Sequence, residues 1–323
     1  MKKLIGIFGF MLFLVFLILE ATHRERWGDN LFNNGQRIGL AGILCIGAGL
    51  LIITGGVDLS IGSVVGLCAV IFCWLILDLP VLAQKHLGMD IYVPVPLAIL
   101  GVLLSGIVIG IVNGVMVTYL RVQPFVVTLC GLFIYRGLAR SLRGDNVPAI
   151  REHVEDLSSF FKGDFLAVPT YIWLLLVLAS LVTVFLHMTK YGRYFFAIGS
   201  NERAARFSGI NVDLYKILAY VFCSLFAAIY AVMYVIHYNT VQPSNTGNFL
   251  ELYAIAGAVL GGCSLRGGEG TTVGMLIGAS ILVMLPTLAN MWGVRDTLEP
   301  TIIGGALLAC AVLDEFLRSR SKT

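Results

Sequence analysis

The chain has 323 residues, of which 58% are hydrophobic and only 13% charged, with a mean hydropathy of +0.89; ordinary soluble domains carry about 25% charged residues. That composition excludes a soluble globular fold, and a net charge of +3 diluted over many loops excludes nucleic acid as a partner. Repeated uncharged runs close to the roughly 20 residues that cross a bilayer predict an all-α polytopic membrane protein, read as one domain over residues 1–323.

The first run, Leu4 to Leu19 behind Lys2-Lys3, has the charge and core of a secretory signal. It is long, however, and no A-x-A site follows it, so it is read as an uncleaved first helix. Residues 38–77 are too long for one span and too short for three. They divide into two helices at Gly55-Gly56-Val57-Asp58-Leu59-Ser60-Ile61-Gly62, where glycine supplies the break. Asp58 is the only Asp, Glu, Lys, Arg or His between Arg37 and Asp78. A carboxylate at such a depth costs on the order of 2.5–3.5 kcal/mol on insertion scales. It is either a pathway or gating residue, or a structural carboxylate that accepts backbone N–H groups with Ser60 as helper.

Further spans are expected over 97–119, 124–142, 168–187, 217–238, 251–265, 272–291 and 298–316, giving about ten helices around a central path. Val122–Tyr135, Leu252–Leu265 and Thr301–Leu313 are uncharged runs of about 14 residues, roughly 21 Å as helix. Segments this short need protein neighbours, as broken helices do inside a bundle. Gly110 and Gly114, with Gly101 upstream, offer small-residue faces for close packing. The seven cysteines lie in apolar segments with no CxxC and no nearby His pair, so they read as packing residues and no metal site is expected.

Two polar segments interrupt the apolar pattern. Residues 143–167 mix both charge signs and read as a partly helical external loop; residues 189–216 are rich in Lys and Arg and read as cytoplasmic. With both termini on the side of the second segment, the charge bias favours cytoplasmic ends. Within it, Ser200 or Asn201 caps a helix of about two turns, Glu202 suits its first turn, Ala204 and Ala205 its body, and Gly209 its C′ position. A helix that short depends on packing against its own bundle or a partner. A second glycine cluster, Gly261-Gly262-Cys263-Ser264-Leu265 to Gly270, repeats the Gly-Gly-x-x-Leu pattern on the same side of the membrane. Asn113 and Glu251 are candidate path-lining polar groups, weighed against hydrogen-bonded packing residues. Phe125, Tyr135, Tyr230 and Tyr234 are rings able to stack on a sugar, weighed against ordinary bundle packing.

Four segments together resemble the permease subunits of ATP-binding-cassette sugar importers of the ribose, xylose and arabinose type, including the autoinducer-2 permeases. They are Thr54 to Ser63; Gln123-Pro124-Phe125-Val126-Val127-Thr128-Leu129 with Arg136-Gly137-Leu138-Ala139; Gly192 to Ile210; and Gly261-Gly262 to Gly270. The resemblance implies a multi-pass protein of the bacterial plasma membrane and two permease subunits per transporter, identical or different. It also implies an extracytoplasmic solute-binding protein, and a separate ATPase carrying the ATP and Mg, so that this chain has no cofactor and no catalytic residue. It makes Gly192, Arg193, Ala197, Gly199, Asn201, Ala204, Ala205, Arg206, Gly209 and Ile210 the coupling element for that ATPase. Gly55, Gly56, Asp58, Ser60, Asn113, Phe125, Glu251, Gly261 and Gly262 remain candidates for gating or the pathway.

The chain contains no Gly-Lys-Ser/Thr phosphate loop, so ATP hydrolysis belongs elsewhere. The alternative is an ion-coupled secondary transporter of a small polar solute, for which Asp58 and Glu251 would supply the intramembrane carboxylates. A membrane enzyme has no HExxH pair or nucleophile elbow to support it.

Overall fold

The computed structural model describes residues 2–21, 27–90, 92–145, 150–298, 300–305 and 308. The chain opens with α1 (Lys2–Ala21) and α2 (Trp27–Ile53), breaks, and resumes as α3 (Ile61–Cys73), which continues through a π turn at Trp74–Asp78 into α4 (Leu79–Leu87). α5 (Val95–Thr118) and α6 (Pro124–Arg143) follow, then α7 (Glu155–Lys162) and a short antiparallel hairpin of β1 (Asp164–Phe165) and β2 (Val168–Pro169). α8 (Thr170–Thr183) ends in a second π turn, Val184–Met188; α9 (Lys190–Ser200), α10 (Glu202–Phe207), α11 (Val212–Tyr238), α12 (Leu250–Leu260) and α13 (Thr272–Met291) complete the described fold.

Among the described residues, seven helical stretches are long and apolar enough to cross a membrane, and Phe8–Ile18 and Leu250–Leu260 are shorter apolar helices. The expected count of ten is not reached within them, and most of the expected span 298–316 lies outside the described residues. The division of 38–77 into two helices holds, with α2 starting earlier, at Trp27. Residues 189–216 were expected as a loop with one small helix; they form two helices, α9 and α10, because Phe195 and Ile198 turn an apolar side of α9 inward.

α2 and α11 are the most enclosed spans, whereas α5, α6 and α8 turn most of their surface outward. Glycine decides how closely the inner helices approach. Gly106, Gly110 and Gly114 form one face of α5 against the α11 backbone: a Cβ on Gly110 would lie 2.5 Å from Val221 Cα, and one on Gly114 2.8 Å from Ile217 Cα. Gly101, expected on the same face, meets only the Leu75 side chain.

α12 and α13 pair in the same way through Gly257 and Gly261 on one helix and Gly274 and Gly278 on the other. Small residues four apart let backbones touch where lipid gives no hydrophobic drive for association. A valine at Gly278 would overlap the Gly257 carbonyl. Gly278→Val is therefore expected to destabilise the protein by roughly 1–3 kcal/mol or more, read as a lower thermal unfolding temperature in detergent.

Candidate functional site

The α2–α3 break is built on a buried carboxylate. Gly55 turns the chain out of α2 at φ +81°, and Asp58 and Ser60 end the break almost without solvent contact. Asp58 Oδ1 accepts hydrogen bonds from the Ser60 amide (2.7 Å) and the Ser60 hydroxyl (2.6 Å); Oδ2 is buried with no hydrogen-bond partner among the described residues. Asn113 of α5 donates to Ser60 Oγ at 3.2 Å, and Tyr135 of α6 donates to Asn113 Oδ1 at 2.7 Å. Tyr220 of α11 donates to the Val57 carbonyl at 3.4 Å. The result is a buried polar chain, Tyr135–Asn113–Ser60–Asp58, tying α5 and α6 to the interrupted helix.

A second junction is made of backbone. The Gly268 amide donates to the Ile53 carbonyl at the end of α2, at 2.8 Å. Gly199, near the end of α9, lies against both groups so closely that any Cβ would overlap them. Gly267 (φ +83°) completes the contact, 3.0 Å from Gly55 Cα by its Cβ position. Three glycine segments far apart in sequence therefore meet at one end of the bundle.

α9 and α10 are anchored there. Thr189 caps α9 by accepting from the Gly192 amide (3.2 Å), and Gly192 itself has no room for a side chain beside the Leu186 backbone. Asn201 caps α10 by accepting from the Ala204 amide at 3.0 Å. The helix closes with Ile210 N–H to Ala205 O and Gly209 N–H to Arg206 O, with Gly209 at φ +81°; these are the paired bonds of a Schellman end. Ala205 packs inward with Ile198 and Val212, flanked by Ala197 and Ile210. Arg206 is held by Asp213 (2.7 Å) and Glu202 (3.6 Å), and Lys216 by Glu202 (2.6 Å). Arg193 and Arg203 are exposed.

The α11–α12 connection approaches the break from the other side. Arg136 of α6 donates to the Pro243 carbonyl (3.4 Å) and to the Thr246 carbonyl. Gly247 and Gly62 touch backbone to backbone, and the Glu251 carboxylate lies where a Gly62 side chain would stand. Glu251 also sits within electrostatic reach of Arg136 and Asp58.

The structure thus brings Asp58, Ser60 and Asn113 into direct contact and places Glu251 next to the break. Gly55 and Gly199 share the backbone junction with Gly267 and Gly268. Gly56 folds back on Leu51, Gly261 serves the α12–α13 contact, and Gly262 turns the chain at φ +94°. Phe125 is exposed on the first turn of α6. Tyr230 and Tyr234 stack on each other at 6.1 Å between ring centres. Sequence reasoning did not single out Thr246, Gly247 or Phe207, and Arg136 drew notice only within a resemblance. The turn-rich run Gln242-Pro243-Ser244-Asn245-Thr246-Gly247-Asn248 between two spans was the available signal.

Interrupted helices meeting inside an apolar helix bundle are a recurring feature of transporter folds. The chain belongs to the family described as "Branched-chain amino acid transport system / permease component", which it matches over residues 30–311. Ribose import permease protein RbsC of Escherichia coli (strain K12) is 36% identical over 288 residues, covering 88% of this chain and 85% of the relative. Probable ABC transporter permease protein y4mJ of Sinorhizobium fredii (strain NBRC 101917 / NGR234) is 33% identical over 318 residues, covering 98% and 90%. Autoinducer 2 import system permease protein LsrC of Yersinia pestis (strain Pestoides F) is 34% identical over 282 residues, covering 85% and 74%. No solved structure matches the chain.

Proposed function

We propose that this chain is the membrane subunit of an ATP-driven importer that passes a monosaccharide, or a similar small polar solute, from an extracytoplasmic binding protein to the cytoplasm. A second permease subunit and a nucleotide-binding ATPase complete the transporter, and the α9–α10 end of the bundle faces the cytoplasm. The relatives named for ribose and autoinducer-2 import favour this solute class over the amino acids in the family's description. They also favour it over ion-coupled secondary transport.

The observation that carries the coupling role is the contrast between the two sides of α10. Its inner side is pinned through Ala205, while Phe207 is 93% exposed. Most charges around it are already paired within the chain, so what α10 offers a partner is largely an apolar anchor. Large aromatic anchors carry a disproportionate share of interface energy, commonly about 2 kcal/mol or more. Phe207→Ala is expected to weaken association with the ATPase subunit by roughly 30-fold and to lower transport in step, with the fold unchanged. Binding of the ATPase to reconstituted protein measures it, and wild-type association would remove Phe207 from the interface. Uptake driven by a proton or sodium gradient through this chain alone would overturn the importer reading itself.

A further inference from the structure

Residues 239–249 connect α11 to α12 without a helix. α12 has 11 residues and so is about 16 Å long, roughly half of a 30 Å hydrocarbon core. Its C-terminal end leads into the Gly261–Gly270 cluster, which reaches the α9–α10 end through the Gly268–Ile53 bond. Its N-terminal end therefore lies near the bilayer centre. The chain descends to it from the far end of α11 as consecutive turns, with Thr246 N–H to Gln242 O at 2.7 Å and Asn248 N–H to Asn245 O at 3.1 Å. Gly247 (φ +85°) and Phe249 (φ +64°) both take left-handed backbone, and Arg136 grips the carbonyls of Pro243 and Thr246.

Irregular backbone at this depth persists only where it is buried in protein or borders water. Here it does both. Val241, Pro243, Thr246 and Gly247 are buried, while Gln242, Ser244, Asn245, Asn248 and Phe249 are exposed. Three carboxamides and a hydroxyl turned toward lipid would each lose their hydration without replacement. We infer that this face lines the water-filled solute path and contacts a polyhydroxylated solute, a class that rests on the importer reading above. Asn248 Nδ2 donates to Asn245 Oδ1 at 2.5 Å, which leaves an amide donor on Asn245 beside a carbonyl acceptor on Asn248. Adjacent hydroxyls of a sugar complement that pair, one accepting and one donating. The Phe249 ring, 58% exposed, supplies an apolar wall beside them.

The test has two arms, both in proteoliposomes holding the assembled transporter with Cys130, the exposed cysteine among the described residues, and Cys310 changed to alanine. In the first, Asn245→Cys, Asn248→Cys and the control Leu104→Cys, on the outward apolar face of α5, meet a charged membrane-impermeant thiol reagent. The two asparagine positions are expected to react at least about 100-fold faster than position 104, and equally slow reaction overturns a water-lined path. In the second, uptake of radiolabelled D-ribose, D-xylose, D-glucose and L-leucine is compared between the parent and Asn248→Leu. A KM raised about 10-fold or more for the transported sugar, with ATP hydrolysis retained, supports solute contact. Unchanged uptake kinetics overturn this inference and leave the importer reading standing. Uptake of leucine alone overturns both the sugar class and the role given to the asparagine pair, while uptake of none of the four overturns the importer reading for these solutes.

Discussion

Gly199→Val abolishes ATP-driven uptake while the ATPase subunit still binds: this is the expected outcome with the largest effect. A side chain at position 199 has no empty direction, because its Cβ would overlap the Ile53 carbonyl and the Gly268 amide, groups already bonded to each other at 2.8 Å. Backbone cannot step aside as a flexible side chain can, so α9 must separate from the end of α2. α10, carrying exposed Phe207, remains available to a partner. Hydrolysis then continues without moving the bundle, and uptake is lost. Gly137 is the matched control: nothing lies within 4 Å of its Cβ position, so Gly137→Ala should be neutral or slightly stabilising. Normal uptake by Gly199→Val would show that the backbone junction does not transmit motion.

The second large effect belongs to Asn113. Asn113→Leu keeps the branched shape of the side chain but removes both of its bonds, leaving the Tyr135 hydroxyl without its acceptor and Ser60 without the Asn113 donor. Each buried polar group stranded in this way costs about 1–3 kcal/mol, and the attachment of α5 and α6 to the break loosens with it. Tyr135→Phe should be milder alone. Combining the two removes both members of one bond, so the double variant should be less destabilised than the sum of the singles. Thermal unfolding of the four proteins in detergent measures this, and strict additivity would mean that the chain of bonds does not act as a unit.

Much of the fold was legible because hydrocarbon enforces simple rules. Apolar length located most spans, and the glycine-bracketed Asp58 marked where α2 ends and α3 begins. α2 starts about ten residues before the expected span because that span was bounded by Arg37, the last charge before the uncharged run; polar residues upstream are accommodated by tertiary contacts, as when Thr287 donates to Asn34. α9 was hidden for a related reason, since a basic loop is what positive-inside counting leads one to expect. Gly199 entered the sequence reading only through the resemblance, because its close approach to Ile53 and Gly268 depends on segments distant in sequence. Gly209, whose role is a local left-handed turn, was read correctly from its neighbours. The 239–249 connection was the hardest to see, because its path is set by the shortness of α12 and by the Arg136 contacts to Pro243 and Thr246, neither of which is local to it.

The Ile53–Gly199–Gly268 junction bears finally on stiffness. Most joints between helices pass force through side chains, whose rotamer changes take up part of any displacement before the next element moves. Here three main chains touch directly, with no torsion available between them to yield. Such a joint has little compliance. A stroke delivered to α10 would reach the end of α2 and the α12–α13 loop together and nearly undiminished, so the α2–α3 break and, through α12, residues 239–249 would be driven in phase.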